Sequence, residues 1–322
     1  QGRVRIRRLF YEFGFTIWRV DMADFEGILP AIITPMDSDG NLNEAAFREV
    51  MEFNIQAGVT GFWVAGGTGE SVLLDDEENM RIADIAADQN RGRVNNIMHV
   101  GAATTKRAAA LAEHAAEAGV EAICCVPPFF YRQTDEAIVQ HYKTVGAAAN
   151  VPLFVYNLPS ATGVEITPEL MQKIQDGVPQ LKGLKHSAMN QGNVRAFAEM
   201  GLDVLIGNSM LMLPAMINGA TGCVDGPPNA APEFWVEIWR AYQAGDIDAA
   251  KAAQSQGSKV TDIVREFGMH GVLKALLTER LGIDCGDPRL PTLPLTPQQR
   301  EEVISRAAAI GVGRVAVAQS DD

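Results

Sequence analysis

Cysteine, histidine and long hydrophobic runs are all scarce in this sequence of 322 residues. The four cysteines and five histidines form no C-x-x-C pair and no spacing typical of a zinc site, so no metal is predicted. Cys124 and Cys125 are neighbours in an apolar run and point to opposite faces of a strand, so they cannot easily pair. We therefore expect reduced thiols and a cytoplasmic protein. No uncharged apolar stretch reaches about 18 residues, which excludes a membrane-spanning helix.

Basic residues are also scarce relative to acidic ones. The 27 Lys and Arg residues stand against 40 Asp and Glu residues, which gives a formal net charge of −13. This charge repels phosphate backbones and anionic lipid headgroups, so neither nucleic acid nor a membrane is an expected partner. A small anionic substrate would need a local pocket of hydrogen-bond donors that offsets the repulsion from the negative net charge.

Residues 1–24 differ from the rest of the chain because they are basic. Five arginines fall in this segment, against Glu12 and two aspartates. Glu12 interrupts the apolar part, whereas a secretory signal needs an unbroken apolar core. We interpret the segment as an extension that is not part of the fold, with the natural start at Met22. The alternative is an arm that docks on a partner subunit.

Eight short apolar runs follow, each closed by glycine, proline or a polar residue, which is typical of strands buried on both faces. Amphipathic stretches with helical periodicity lie between them. Helix starts are marked by Asp75 with Glu78, a capping box, and by Thr167 followed by Pro168. The eight runs cover residues 28–33, 61–65, 97–101, 122–126, 153–156, 181–185, 204–206 and 222–225.

Strict alternation of strands and helices implies parallel strands joined by right-handed crossovers, and eight repeats close a barrel. The sequence therefore predicts an α/β fold, a (β/α)8 TIM barrel over residues 25–230. The alternative, an open doubly wound sheet, lacks its G-x-G-x-x-G fingerprint after the first strand. Further amphipathic stretches predict a C-terminal helical appendage over residues 231–312 that packs on the barrel. Residues 313–322 form a tail.

The chemistry of such a barrel lies at the carboxyl ends of its strands, and Lys185 ends the sixth run. A charged lysine in an inward-facing apolar strand would cost several kcal/mol, so burial favours the neutral amine that attacks carbonyls. The alternative is an ion pair between Lys185 and a carboxylate such as Glu70 or Asp225. Lys182 falls on the opposite face of the strand and is interpreted as an outer salt-bridge or capping residue.

Two further strand ends carry candidate residues. The glycine-rich turn AGGTGES over residues 65–71 follows the second run, and its N–H groups with the Thr68 hydroxyl can hold a carboxylate or phosphate. The alternative is a tight turn that needs positive φ at glycine. Tyr156 ends the fifth run, where a packed ring with a satisfied hydroxyl is the alternative to a catalytic role.

Together these segments resemble the N-acetylneuraminate lyase and dihydrodipicolinate synthase family of pyruvate-type class I aldolases. The resemblance covers about residues 25–296 and carries ITPMDSDGNLN, GGTGES, HVGA, VPPFFYR, VYNLPSATG, GLKHS and GATGCVDG in family order. It implies a TIM barrel that forms a Schiff base with a 2-oxo acid and needs neither a metal nor another cofactor. It also implies a homotetramer built as a dimer of dimers.

The resemblance assigns roles position by position. Lys185 matches the lysine that forms the Schiff base, and Tyr156 matches the tyrosine that moves protons beside it. Gly67, Thr68 and Gly69 match the turn that binds the substrate carboxylate, and Thr68 is counted with the catalytic residues. A protonated imine is an electron sink, so a carbon–carbon bond can break or form through an enamine. A nearby iminium charge favours the phenolate form of tyrosine, as a proton carrier requires.

Several positions depart from the two named activities. The synthase has threonine where this chain has Gly67, a tyrosine at Phe130 and a carboxylate-binding arginine at Ala161. These three losses make the lysine-pathway synthase an alternative only. The acidic residues that hold the sialic acid tail fall at Ser209 and Met210, which weakens the sialate assignment too.

The sequence predicts an enzyme, a Schiff-base-forming lyase of the aldolase type that cleaves or condenses a 2-oxo acid, with pyruvate and an aldehyde as the expected pair. The alternatives are 4-hydroxy-tetrahydrodipicolinate synthase or N-acetylneuraminate lyase proper, a dehydratase of a 2-keto-3-deoxy sugar acid, and a non-catalytic 2-oxo acid-binding barrel. The remaining candidates for substrate binding are Phe130, Ser187, Asn208, Ser209, Val224 and Asp225.

Overall fold

The computed structural model describes residues 6–10, 16–20 and 25–315. Strands β1 (Ile6–Phe10) and β2 (Thr16–Val20) pair antiparallel, with Ile6 opposite Val20. The other residues of the 1–24 segment lie outside the described part of the chain, as do residues 316–322 of the expected tail. Within the described part, no helix is both long and apolar enough to cross a membrane.

Eight parallel strands form the centre of the molecule, in the sheet order β3-β10-β9-β8-β7-β6-β5-β4. All eight fall within or beside the predicted runs, so the predicted (β/α)8 barrel is confirmed. The strands are β3 (Gly27–Ile28), β4 (Gly61–Val64), β5 (Asn95–His99), β6 (Ala122–Cys125), β7 (Leu153–Asn157), β8 (Leu181–His186), β9 (Asp203–Ile206) and β10 (Gly222–Cys223).

The barrel closes between its first two strands. Ala31, just after β3, forms a parallel bridge with Trp63 on β4. The Trp63 amide donates to the Pro30 carbonyl at 2.9 Å, and the Ile32 amide donates to the Trp63 carbonyl at 3.1 Å. Closure removes the open edge of the eight-stranded sheet, so each of its strands has a neighbour on both sides.

The longer helices follow the strands at the positions that the periodicity predicts. Asp75 and Glu78 form the predicted capping box, and Thr167 caps the helix that begins with Pro168. The barrel helices are α1 (Glu44–Gln56), α2 (Asp76–Asn90), α3 (Thr105–Ala118), α4 (Asp135–Ala149), α5 (Pro159–Thr162), α6 (Pro168–Gly177), α7 (Asn193–Glu199) and α8 (Met212–Ile217). The short helices α5, α7 and α8 were not predicted. The C-terminal helices are α9 (Pro232–Gln243), α10 (Ile247–Phe267), α11 (Met269–Leu281) and α12 (Pro297–Ala309).

Two apolar clusters build the core, one between the barrel and its helices and one inside the barrel. The interior cluster includes Trp63, Phe154 and Tyr156. A Cβ at Gly183 on β8 would lie 2.1 Å from the Asp203 carbonyl oxygen and 2.7 Å from a ring carbon of Phe154. Glycine is therefore required here, because its missing side chain leaves room for the Phe154 ring in the layer below residue 185.

The C-terminal helices dock onto the barrel through polar contacts as well as apolar ones. Arg280 of α11 donates to the Ala230 carbonyl and pairs with Glu233 at 3.0 Å. The indole of Trp235 on α9 donates to the Ser209 carbonyl at 3.3 Å. Gln254 of α10 donates to the same Ser209 carbonyl at 3.0 Å, so α10 also packs against the segment that follows β9.

Candidate active site

Lys185 and Tyr156 are neighbours inside the barrel because β7 and β8 pair in a register that sets them side by side. Both side chains are buried, Lys185 at 4% and Tyr156 at 6% exposure. Lys185 Nζ lies 4.5 Å from the centroid of the Tyr156 ring and 5.2 Å from that of Trp63. The amine therefore faces aromatic surfaces inside the barrel.

The carboxylates expected as alternative partners of Lys185 are engaged elsewhere. Glu70 pairs with Lys274 at 2.7 Å, and the two oxygens of Asp225 accept the amides of Ser209 and Gly226, each at 2.8 Å. Lys185 forms no ion pair with any carboxylate of the described residues. The alternative that pairs Lys185 with Glu70 is therefore wrong.

Two side chains near Lys185 have shifted pKa values. Burial, with the Lys185 charge as a second cause, lowers the pKa of His99 to about 4. The imidazole is thus neutral at pH 7, and its ring meets the Tyr156 ring edge-on at 6.1 Å between centroids. Burial also raises the pKa of the Cys124 thiol, which keeps that side chain protonated. Lys182, on the opposite face of β8, pairs with Asp203 at 3.2 Å, as predicted.

In the glycine-rich turn after β4, the backbone at Gly69 lies close to the backbone at Ala65. Its positive φ angles occur at Ala65 (49°) and Glu70 (61°), so the expected alternative, positive φ at glycine, is wrong. A Cβ at Gly69 would lie 3.0 Å from the Ala65 Cα, and the Gly69 carbonyl accepts the Thr34 hydroxyl at 2.7 Å. Among the described residues, no backbone carbonyl accepts the amides of Gly67, Thr68 or Gly69. These donors are free for an anion.

Most of the predicted site residues line a cavity of about 470 Å³. Its wall joins the turn, the buried amine and the ends of β8, β9 and β10. The predicted residues that line it are Gly67, Thr68, Tyr156, Lys185, Ser187, Asn208 and Asp225. Ser187 Oγ is buried there and has no hydrogen-bond partner within residues 25–315.

Four predicted residues do not line this cavity. Gly69 and Val224 are buried behind its wall. Ser209 is fully buried, with its hydroxyl 3.4 Å from that of Thr261. Phe130 is 86% exposed on the surface of the chain, at a φ of 78°, and its ring packs against Tyr131.

Sequence reasoning missed the part of the cavity that the C-terminal helices supply. Thr261 and Arg265 of α10 and His270 of α11 line it, with Val264 and Met269 beside them. His270 Nε2 also lies 3.0 Å from the Gly67 carbonyl oxygen. Periodicity identifies these segments as helices but carries no signal for which strand end they cover.

Lys274 is a second lysine of the site region that the sequence did not single out. It is 1% exposed on α11, and besides Glu70 it contacts the Asp287 carbonyl at 2.9 Å. The second Glu70 oxygen accepts the Arg289 amide at 2.7 Å. Burial lowers the pKa of Lys274, and the Glu70 carboxylate opposes that shift. This pair fixes the glycine-rich turn to the C-terminal helices.

We predict that Lys274→Met destabilises the protein by about 3–5 kcal/mol, because it leaves the buried Glu70 carboxylate without a positively charged partner. Urea unfolding measures the loss. Lys251→Met, which removes the exposed Lys251–Asp248 pair on α10, is the control and should change stability by less than about 0.5 kcal/mol. Adding Glu70→Gln to Lys274→Met should recover part of the loss. Equal stability of Lys274→Met and the parent chain would refute this account.

Comparisons with known proteins agree with this geometry. The model of the dihydrodipicolinate synthetase family matches residues 24–310. A 4-hydroxy-tetrahydrodipicolinate synthase of Oleidesulfovibrio alaskensis is 31% identical over 282 residues, which cover 86% of this chain and 95% of the relative.

Solved structures of other proteins are also similar to this chain. The dihydrodipicolinate synthase of Aquifex aeolicus matches with a TM-score of 0.85 at 26% identity, over 91% of this chain and 100% of that one. The sialic acid aldolase of Ruminococcus gnavus matches with a TM-score of 0.84, also at 26% identity, over 89% of this chain and 97% of that one. The family resemblance stated from the motifs is confirmed: the chain belongs to the dihydrodipicolinate synthetase family of enzymes.

Proposed function

We propose that this protein is a Schiff-base-forming lyase of the aldolase type, which cleaves or condenses a 2-oxo acid, with pyruvate and an aldehyde as the pair. The observation that carries the proposal is the buried Lys185 amine, which shares a cavity with the Tyr156 ring and the free amides of the Gly67–Thr68 turn. The named relatives are synthases and an aldolase, which supports the same class.

In this mechanism the Lys185 amine attacks the keto carbon, and loss of water gives a protonated imine. The carboxylate of the 2-oxo acid binds the amides of Gly67 and Thr68, with the Thr68 hydroxyl as a further donor. The iminium accepts the electron pair of the breaking carbon–carbon bond, which leaves an enamine and releases an aldehyde. Protonation of the enamine and hydrolysis then release pyruvate and restore the amine.

Tyr156 moves the protons of this cycle. Its ring lies beside Lys185 Nζ, so the phenolic oxygen is the group that takes the proton from the substrate hydroxyl and later returns one. The neutral His99 ring, edge-on to Tyr156, adds no positive charge that would compete with the iminium. Thr68 shares the cavity wall and helps to orient the carboxylate.

The remaining predicted residues hold the rest of the substrate. Ser187, Asn208 and Asp225 line the cavity, and the unpartnered Ser187 hydroxyl is the first candidate to bind a substrate hydroxyl. Ser209 acts indirectly, because its amide orients the Asp225 carboxylate. Gly69 and Val224 shape the wall from behind, and Phe130 is a surface residue of the single chain.

The first test traps the imine. We expect that pyruvate and borohydride add one reduced pyruvate per chain, because borohydride reduces a lysine imine to a stable amine. Intact mass spectrometry measures the adduct. It should vanish in Lys185→Ala and persist in Lys182→Ala, the matched control on the opposite face of the same strand. If neither pyruvate nor a longer 2-oxo acid gives an adduct, the non-catalytic binding barrel is favoured instead.

A second test separates an aldolase from the dehydratase of a 2-keto-3-deoxy sugar acid, which would use the same imine to expel water. A coupled pyruvate assay on a panel of sugar acids should detect pyruvate if carbon–carbon bonds break, whereas loss of substrate without pyruvate indicates the dehydratase. Tyr156→Phe should lower turnover by about 10²- to 10⁴-fold, the usual contribution of a positioned acid–base group. Unchanged turnover would exclude Tyr156 as the proton carrier.

We further propose that the protein is a homotetramer, a dimer of dimers, as the family resemblance implies. Large apolar side chains are exposed on the surface of the single chain, with Val72 at 70%, Phe130 at 86% and Tyr131 at 72%. Exposed aromatic clusters of this kind mark interaction surfaces. Light scattering should give four times the mass of one chain. A monomer at micromolar concentration would contradict the proposal.

A further inference from the structure

The carbonyl of Gly67 is held by a side chain from outside the glycine-rich turn. The Nε2 atom of His270, on α11, lies 3.0 Å from the carbonyl oxygen, and the Glu70 amide donates to the same oxygen at 3.1 Å. Because a carbonyl oxygen can only accept, His270 Nε2 is the donor and carries the hydrogen. His270 is half-buried and lines the cavity at Lys185. The contact thus joins α11 to the backbone of the proposed carboxylate site.

The peptide group that His270 contacts also supplies an amide donor to that site. The Gly67 carbonyl and the Thr68 N–H are the two ends of one planar trans peptide group, so they point in opposite directions. A contact that fixes the direction of the carbonyl therefore fixes the direction of the N–H as well. A carbonyl that accepts a hydrogen bond also polarises its peptide group, which makes the N–H a stronger donor. No backbone carbonyl within residues 25–315 accepts the Thr68 N–H.

Two further contacts fix the start of α11 against the barrel. Lys274, four residues after His270 and on the same face of the helix, pairs with Glu70 at 2.7 Å, and both side chains are buried. Glu70 has a φ of 61°, a conformation that residues with a side chain rarely adopt, so it needs contacts that hold it. A Cβ at Gly226 would lie 2.3 Å from Met269 Sδ, which shows how closely α11 approaches the residues after β10. His270 therefore has a defined position relative to the turn.

The hydrogen-bonding capacity of His270 decides how it can act on a bound anion. In its neutral form an imidazole has one N–H, and in His270 that N–H is directed at the Gly67 carbonyl. The ring then has no second donor for a carboxylate, so its effect must pass through the peptide group.

From these contacts we propose that His270 is a positioning residue for recognition of the 2-oxo acid carboxylate. It orients and polarises the peptide group between Gly67 and Thr68, so that the Thr68 amide binds the anion. This inference rests on the proposed Schiff-base function, and it adds a residue of the C-terminal helices that none of the strand-end motifs contains.

The test measures how fast ketones label Lys185 in the presence of cyanoborohydride, which reduces the imine to a stable amine. Pyruvate is compared with pyruvamide, in which a neutral amide replaces the carboxylate. His270→Phe keeps a ring of similar size but loses the donor. It should lower the labelling rate per unit concentration by about 5- to 10-fold for pyruvate and by only about 2- to 3-fold for pyruvamide, because hydrogen bonds to charged acceptors are about twice as strong. Intact mass spectrometry follows the adduct.

A second variant and a matched control separate positioning from a merely structural role. His270→Gln offers an amide N–H in place of the imidazole N–H and should recover most of the pyruvate labelling. His114→Phe on α3 removes a histidine that contacts Asp84 at 3.0 Å outside the cavity, and it should label like the parent chain. Circular dichroism and urea unfolding verify that each variant is folded. Equal losses for both ketones in His270→Phe, or the same loss in His270→Gln, would overturn the inference.

The same experiment separates this inference from the proposed function. If the parent chain forms no adduct with pyruvate or a longer 2-oxo acid, the Schiff-base function is wrong and the inference falls with it. If the parent chain is labelled and His270→Phe keeps the full preference for pyruvate over pyruvamide, only the role of His270 is overturned.

Discussion

The interior of a closed eight-stranded barrel must be filled by side chains from its own strands, and in this protein one of those positions holds Lys185. The rest of the site follows from that constraint. Position 183, two residues earlier, holds a glycine, and the absence of a side chain there leaves room for the Phe154 ring in the layer below. Tyr156 stands beside the amine because β7 and β8 pair in that register. The aromatic rings of Trp63 and Tyr156 surround the Lys185 amine.

The Glu70 carboxylate does not pair with Lys185, because a second lysine holds it. Glu70 belongs to the glycine-rich turn, but Lys274 on α11 takes up its charge in a buried pair. The same pair, with the contact between His270 and the Gly67 carbonyl, ties the turn to the C-terminal helices. The helical appendage is thus a wall of the site as well as a layer on the barrel.

Local rules account for most of the fold. Buried parallel strands read as short apolar runs, and the capping box at Asp75 or the Thr167–Pro168 start depends on residues within one helical turn. Side-chain direction within a strand is also local, so the opposite faces of Lys182 and Lys185 were predictable. The short helices α5, α7 and α8 span too few residues for periodicity to identify them.

The sequence by itself determined the barrel, the family and the strand ends at which Lys185, Tyr156 and the glycine-rich turn lie, because each depends on residues close together in the chain or on motifs in order. The tertiary structure decided which groups share the cavity. Ser209 faces Thr261 in the packing, whereas Arg265, 80 positions beyond Lys185, lines the cavity. Such contacts depend on how helices dock on the barrel, and docking is set by many weak packing contacts across the whole chain, which no local pattern encodes.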